Sequence, residues 1–203
     1  MYISLEASIG VGKSTLLPML AEELGITAVE EDLTSGSEFL EALDKFNKDK
    51  SKALNLQVTL NKIRNRLAKS HLVGEYLTER SMLSDIVFTK VMADSGFMPK
   101  SDYRLFYSMA MENLRNNPPE TVVFLACDAQ VAYDRMMSRG RSEESNNDLQ
   151  YMIDLEEAHE DMLVEMCSDL DIPFIRLDYN SFVDPKIVAN SINRMQFLTA
   201  MGE

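Results

Sequence analysis

The sequence predicts an α/β fold, a P-loop kinase fold with a central parallel five-stranded sheet flanked by helices, on three observations. A glycine-rich turn, ASIGVGKS, joins an alternating apolar segment to an amphipathic one. Five short apolar runs alternate with stretches of helical periodicity along the chain. One of those runs, TVVFLA at 121 to 126, is apolar throughout, as expected of a strand covered on both faces. Strands alternating with helices imply parallel pairing through right-handed crossovers. With no internal repeat and no inter-domain linker, residues 1–203 are expected to form one domain.

MYISLEA alternates before the glycine turn and reads as the first strand, feeding a helix from about Lys13 to Glu23. ITAVEE, at 26 to 31, is a second short strand, and residues 36 to 47 are helical. A longer helix follows from about Lys52 to Leu72, with Leu56, Leu60, Ile63 and Leu67 spaced to form its buried stripe. GEYLTERS is a strand ending on charged residues, and two helical stretches flank the break GFMPKSD at 96 to 102. After TVVFLA, the residues Leu149, Met152, Leu155, Met162, Met166 and Leu170 line one face of another helix. PFIRLD at 173 to 178 is the last strand, and a helix closes the chain. In such sheets ligands bind beyond the carboxyl ends of the strands. Ser8 to Ser14, Glu30, Glu31, Glu79, Arg80 and Asp128 sit at those ends, so they are expected to converge on one crevice.

Composition narrows the function. The net charge of -13 disfavours a nucleic-acid polymer, which is gripped by releasing counterions with Lys and Arg. Two cysteines, Cys127 and Cys167, cannot build a disulfide framework and suit a reducing cytosol. No run of 18 apolar residues and no signal-peptide pattern occur, so a soluble, cytoplasmic protein without a membrane partner is expected.

The turn itself is the strongest motif. Gly10, Gly12, Lys13 and Ser14 match the second half of G-x-x-x-x-G-K-[ST], the spacing that aims backbone N–H groups at phosphate oxygens beside a helix N-terminus. Residues Ser8, Ile9, Gly10, Val11, Gly12, Lys13, Ser14 and Thr15 are therefore assigned to ATP, with Lys13 on the outer phosphates and the Ser14 hydroxyl on magnesium. Ala7 stands where the motif has glycine. It costs little at negative φ and about 1–2 kcal/mol if φ must be positive. GTPase signals are missing, since NKDK at 47 to 50 is not N-K-x-D.

E-R-S at 79 to 81, RMMSRGRSEES at 135 to 145 and EED at 30 to 32 together resemble the deoxynucleoside kinases, in order and spacing, from the first strand to about Leu163. The resemblance implies transfer of the ATP γ-phosphate to the 5′-hydroxyl of a deoxynucleoside by a homodimer. It implies Glu31 as the base, Arg80 as holder of the hydroxyl and the phosphoryl group, and Glu79 as an aid to magnesium. Asp32 replaces a proline of the family beside that base. Arg139 and Arg141 resemble lid arginines in a short lid at about 135–147, with Arg135 assisting at ATP. Gln57 resembles the glutamine that pairs with the base, and Arg64 with Asp85 resembles the branch that handles deoxycytidine, deoxyguanosine or deoxyadenosine. That implies cytosine or purine over thymine.

Two positions depart from the family. Phe46 stands where it has a tyrosine that bonds the sugar 3′-hydroxyl, leaving Glu144 of the lid for that task. The base-stacking position falls on Thr89, next to Phe88, and Phe88 is taken as the stacking ring. His71 and His159 have no metal-ligand companions and are expected to be surface or packing residues. Asp128 is expected to cap a helix, and the 14 methionines to fill core gaps. Two further readings stay open. A nucleoside monophosphate kinase would use extra arginines such as Arg64, Arg66 and Arg104 at the acceptor phosphate. A nucleotide-binding regulator without turnover is suggested by Ala7 and Phe46. A polynucleotide kinase lacks its basic track.

Overall fold

The computed structural model describes residues 1–31, 37–70 and 74–202. Expectations for Asp32, His71 and Leu72, and for the side chain of Leu67, lie outside the described residues. Five strands, β1 (Tyr2–Glu6), β2 (Thr27–Val29), β3 (Tyr76–Glu79), β4 (Thr121–Ala126) and β5 (Phe174–Asp178), form one all-parallel sheet in the order β2-β3-β1-β4-β5. The helices are α1 (Lys13–Leu24), α2 (Ser37–Lys48), α3 (Ala53–Ser70), α4 (Met82–Asp94), α5 (Lys100–Asn116), α6 (Ala129–Arg139), α7 (Leu149–Asp169) and α8 (Pro185–Met201). The connection leaving β1 runs toward β2, whereas the one leaving β3 crosses to β4 on the other side. A crevice therefore opens between the ends of β1 and β3, where both strands deliver polar residues.

β4 is buried along its whole length, as its unbroken apolar run requires. The core packs around α1 and α8 on one face of the sheet, and around α4, α5 and α7 on the other. A third group of buried side chains, including Phe46, Leu56, Met92 and Met98, ties α2 and α3 to the end of α4. Six of the 14 methionines, Met92, Met98, Met111, Met136, Met152 and Met166, are buried, whereas Met109, Met137 and Met201 are exposed, so only part of the set fills core gaps. Asp128 caps α6 by accepting from the N–H groups of Gln130 and Val131. Among the described residues, no helix is long and apolar enough to cross a membrane.

The buried stripe of α7 differs from the expected one. Met152, Leu155, His159, Leu163 and Met166 are buried, while Met162 and Leu170 are only partly so. Successive gaps of three and four residues keep this set on one face, and His159 belongs to it. His159 is fully buried, stacked on Phe124 and edge-on to Phe88, with Nδ1 2.7 Å from the Leu155 carbonyl. It is thus a packing histidine, and burial pushes its pKa down to about 3.

β1 also departs from simple alternation, because both its faces are covered. Ser4 and Glu6 are fully buried. The Glu6 carboxylate accepts from three hydroxyls, those of Ser4, Ser84 and, at 2.6 Å, Ser81. A buried carboxylate is tolerated only when its lone pairs are filled in this way. The arrangement anchors the start of α4 to β1, since Ser81 is also the N-cap of that helix. Glu6→Ala orphans three hydroxyls at once and should cost about 3 kcal/mol in urea unfolding. A loss below about 1 kcal/mol would mean that water replaces the carboxylate.

Candidate active site

The turn after β1 is shaped by glycine. Gly10 has φ +77°, and a Cβ there would lie 2.2 Å from the Ala132 carbonyl oxygen, so no other residue fits. Gly12 has φ +112° and starts α1 without a side-chain cap, which leaves the first N–H groups of the helix for a ligand. Ala7 is not in the left-handed region, so its methyl group brings no backbone strain.

Lys13 folds back over the turn, and its ammonium donates to the carbonyls of Ala7 at 3.1 Å and Ser8 at 2.6 Å. Burial, with Arg80 adding repulsion, pulls its pKa from 10.5 down to about 7. The Ser14 hydroxyl donates to Glu79 at 2.9 Å, which places two hard oxygen donors side by side.

Arg80 closes β3 with φ +63°, a left-handed conformation that a non-glycine residue holds only when its surroundings enforce it. They do so through several bonds. Its N–H reaches the Leu5 carbonyl at 3.0 Å, and Nε and Nη2 reach the Ala7 and Ser8 carbonyls, each at 3.3 Å. Nη1 then donates to Glu31 at 2.7 Å, and the guanidinium lies 5.2 Å from the centroid of the Phe88 ring. From α3, Arg64 donates through Nε to Glu31 at 2.7 Å and is also ion-paired with Asp85 of α4. Asn61 supports Asp85 at 3.2 Å, and Asn65 supports Asn61 at 2.9 Å. Burial alone would push the Glu31 carboxyl upward, but Arg64 and Arg80 override it and hold the group below the usual carboxylate range. Glu31 is therefore an anion at any ordinary pH, while Glu30 is exposed.

One cavity of about 810 Å³ joins these groups, a volume within the usual range for small-molecule sites. It is lined by Ile9, Gly10, Gly12, Lys13 and Ser14 of the glycine turn, by Glu31, Glu79 and Arg80, by Gln57, Arg64 and Phe88, and by the rings of Phe39, Phe46 and Phe97. Arg139, Arg141 and Glu144 border it from the segment after α6, with Arg139 donating to both Glu144 carboxylate oxygens at 2.6 and 2.7 Å. Gln57 is nearly sealed, with Nε2 3.3 Å from the Met92 sulfur and a carbonyl oxygen without a partner. Such an orphaned acceptor and a weakly used donor are what a polar ligand edge would satisfy. A smaller cavity of about 400 Å³ lies behind the charge cluster, bordered by Asp85 and several asparagines and lacking the glycine turn.

Five assigned residues lie elsewhere, Asp85 among them, since it borders the smaller cavity and not the larger one. Ser8 is fully buried and offers its carbonyl to Lys13 and Arg80, Val11 belongs to the core, and Thr15 is outside the cavity lining. Arg135 does not reach the cavity. Its guanidinium is spent on the carbonyls of Val11 and Tyr179 at 3.1 Å and Asn180 at 2.6 Å, because its position, one turn before the end of α6, faces the turn and the segment after β5. Arg135 thus braces the turn from behind. Thr89 also points away, its hydroxyl bonded to the Asp85 carbonyl at 2.6 Å, and Phe88 is the ring at the cavity. Sequence reasoning missed Asn61, Lys50 and Tyr151. Asn61, three residues before Arg64 and thus on its helical face, was the one with a readable signal.

The lowered pKa of Lys13 carries a stability consequence. Its unfolded value lies near 10.5 and its folded value near 7, so the unfolded chain binds the extra proton between them. Stability from this group therefore rises with pH across that window. Lys13→Met should raise the Tm of the nucleotide-free protein at pH 7 and flatten its rise between about pH 7 and 9, while abolishing phosphate binding. A lower Tm in the variant would show that the two carbonyl bonds outweigh burial.

Comparison with known proteins agrees with this geometry. The family described as deoxynucleoside kinase matches residues 3–197, further than the motifs alone had reached. A deoxyadenosine kinase of Dictyostelium discoideum is 27% identical over 197 residues, covering 94% of this chain and 77% of that protein. A probable deoxycytidine kinase of fowlpox virus (strain NVSL) is 30% identical over 172 residues, covering 80% and 72%. The solved deoxyadenosine kinase of M. mycoides with bound dATP shares the fold, with a TM-score of 0.80 at 24% identity over 95% of this chain and 100% of that one. A phosphate-binding turn, a buried carboxylate–arginine cluster and a family match over nearly the whole length converge: the chain belongs to the deoxynucleoside kinase family.

Proposed function

We propose that the cavity holds ATP at the glycine turn and a deoxynucleoside against α3 and α4, with Glu31 as the base between them. One observation carries this reading. The Glu31 carboxylate and the Arg80 guanidinium touch at 2.7 Å, and the pair links the glycine turn, through the Ala7 and Ser8 carbonyls, to Arg64 on the helix that bears Gln57. A 5′-hydroxyl entering there meets an ionised acceptor for its proton and a cation for the incoming phosphoryl group. The hydroxyl oxygen bonds to the γ-phosphorus, the bond from that phosphorus to the bridging oxygen of ADP breaks, and the proton passes to Glu31. Because the transition state of such transfers is loose, a carboxylate held at low pKa suffices, and most of the rate comes from placement and charge.

The remaining groups divide the work. Lys13 would leave its two carbonyls for phosphate oxygens, and Arg139 and Arg141 would exchange Glu144 for the triphosphate. Glu144 is thereby freed for the sugar. Ser14 and Glu79 offer the hard oxygen pair that suits magnesium, an ion that takes few protein ligands and completes its shell with phosphate and water. Bound there, magnesium would neutralise phosphate charge.

Gln57, with Arg64 and Asp85 paired beside it, favours a purine or cytosine base over thymine. A monophosphate acceptor fits less well. Arg66 is paired with Glu38 at the surface, and Arg104 is outside the cavity lining. We also propose a cytoplasmic homodimer. Free, buried Cys127 and Cys167 fit a reducing compartment, and α5 and α7 expose Leu105, Met109 and Val164 for a second copy. Light scattering should then give a mass near twice 23.0 kDa, and a monomeric mass would reject the dimer.

The activity is tested by acceptor-dependent ADP release with magnesium-ATP and a panel of deoxynucleosides and their monophosphates. Turnover with deoxyadenosine, deoxyguanosine or deoxycytidine is expected. Stimulation by monophosphates alone would establish the monophosphate kinase, and no stimulation the regulator. Glu31→Gln should lower kcat at least about 10²-fold with ATP binding little changed. Near-normal turnover would remove Glu31 from the base role.

A further inference from the structure

The cations around the cavity differ in what occupies them. Arg64 and Arg80 hold Glu31, Arg139 and Arg141 hold Glu144, and Lys13 turns to two backbone carbonyls. Lys50 is the exception. It lies in the 3-10 turn Lys50–Lys52 before α3 and lines the cavity, with its ammonium 3.9 Å from the centroid of the Phe46 ring and 5.5 Å from that of Phe97. The neighbouring carboxylate does not neutralise it. Asp49 accepts from the Ser51 N–H at 3.0 Å and pairs with Lys52 at 3.6 Å. Among the described residues Lys50 makes no ion pair and no hydrogen bond through its ammonium; the two rings are its contacts.

The platform beneath it is fixed. Phe46 and Phe97 meet edge to face at 5.9 Å, and Phe46 is packed into the third core group. A cation held over aromatic faces is attracted by the ring quadrupole, yet its three N–H donors find no oxygen there. The surrounding wall of Phe39, Leu43, Phe46 and Phe97 is apolar, and Lys50 is its one charged group among the described residues. A cation so placed, facing a cavity, is poised for an oxygen of the ligand.

We propose that Lys50 is a specificity-determining residue whose ammonium donates a hydrogen bond to the 3′-oxygen of the acceptor sugar. The inference rests on the proposed deoxynucleoside acceptor. A deoxynucleoside presents three polar regions: the base edge, the 5′-hydroxyl and the 3′-hydroxyl. Gln57 has the free carbonyl oxygen for the base edge, and Glu31 with Arg80 takes the 5′-hydroxyl. The 3′-hydroxyl then faces the remaining wall, where the phenyl ring of Phe46 can donate nothing and Lys50 supplies the donor in its place. Glu144, once released from Arg139, accepts the proton of the same hydroxyl, so donor and acceptor are both satisfied.

The test compares a 2′-deoxynucleoside with the 2′,3′-dideoxynucleoside of the same base, in the wild type, Lys50→Met and Lys50→Arg. Loss of a hydrogen bond to a charged donor should raise the acceptor KM of Lys50→Met about tenfold for the deoxynucleoside. The penalty should vanish for the dideoxynucleoside, and Lys50→Arg, which keeps a donor, should recover most of the loss. Thermal melts of both variants check that the surface turn still folds. An equal rise in KM for both acceptors would mean that Lys50 only supports the aromatic wall, and no rise for either would mean that it faces solvent; each overturns the assignment. If the wild type itself turns over no deoxynucleoside, the acceptor reading fails, an outcome distinct from a variant that treats both sugars alike.

Discussion

The site depends on one buried carboxylate being shared by two guanidinium groups. Glu31 has a side chain only 4% exposed, and leaving it unpaired there would cost several kcal/mol in lost hydration. Arg80 and Arg64 remove that penalty from two sides, and Asp85 in turn balances Arg64. The four charges alternate in sign and sum to zero. They also come from four different places: the end of β2, α3, the end of β3 and α4. Closing the cluster therefore fixes where α3 and α4 lie relative to the sheet, and with them Gln57 and Phe88. The left-handed turn at Arg80 belongs to the same constraint, because in that backbone conformation one side chain bonds both the glycine turn and Glu31. Glu6 and its three serine hydroxyls hold the turn from below.

This arrangement also explains why the turn after β1 looks poorly designed for stability. A lysine whose pKa is pulled down to about 7 is a liability in an empty protein. Gly10 and Gly12 forgo side-chain packing, and α1 begins without a cap. Each feature is unfavourable alone and favourable with phosphate bound, since the N–H groups and the ammonium then gain charged partners. A stability optimum would have put a capping serine at residue 12 and an apolar residue at 13. The sequence instead holds strain and desolvation at the position where ligand charge arrives.

How much of this could be read beforehand varied with the kind of signal. The glycine turn and the unbroken β4 run were legible because a local spacing or composition determines them. The choice of Glu31 came from the resemblance to the family, and the structure buries the Glu31 side chain and exposes Glu30. Arg135 shows the limit of such reasoning. Helical spacing put it on the face of Arg139, but one turn of rise separates a side chain that meets the glycine turn from one that borders the cavity. Ser8 shows a related limit, since it serves the turn through its carbonyl while its side chain faces inward. The Glu6 cluster was invisible because two of its three serines, Ser81 and Ser84, lie more than 70 residues away in the chain. Lys50 carried no motif at all; its interest is that among the described residues no carboxylate pairs with it, Asp49 being engaged by Ser51 and Lys52.

The charge of the cavity reconciles an acidic protein with a polyanionic substrate. The chain carries a net charge of -13, yet Lys13, Lys50, Arg64, Arg80, Arg139 and Arg141 all border the cavity, against the carboxylates Glu30, Glu31, Glu79, Glu144, Asp148 and Asp154. The lining is thus balanced within a strongly negative surface. A long polyanion would have to lie across that surface and is repelled, whereas a single triphosphate can enter the one region that does not oppose it. Inside, it competes with carboxylates for cations that are already in place. Under the proposed reaction, Arg139 and Arg141 would exchange Glu144 for phosphate and return a free carboxylate to the acceptor side. On that proposal the internal carboxylates stand in for the ligand, since they already pair with the cations that phosphate would meet.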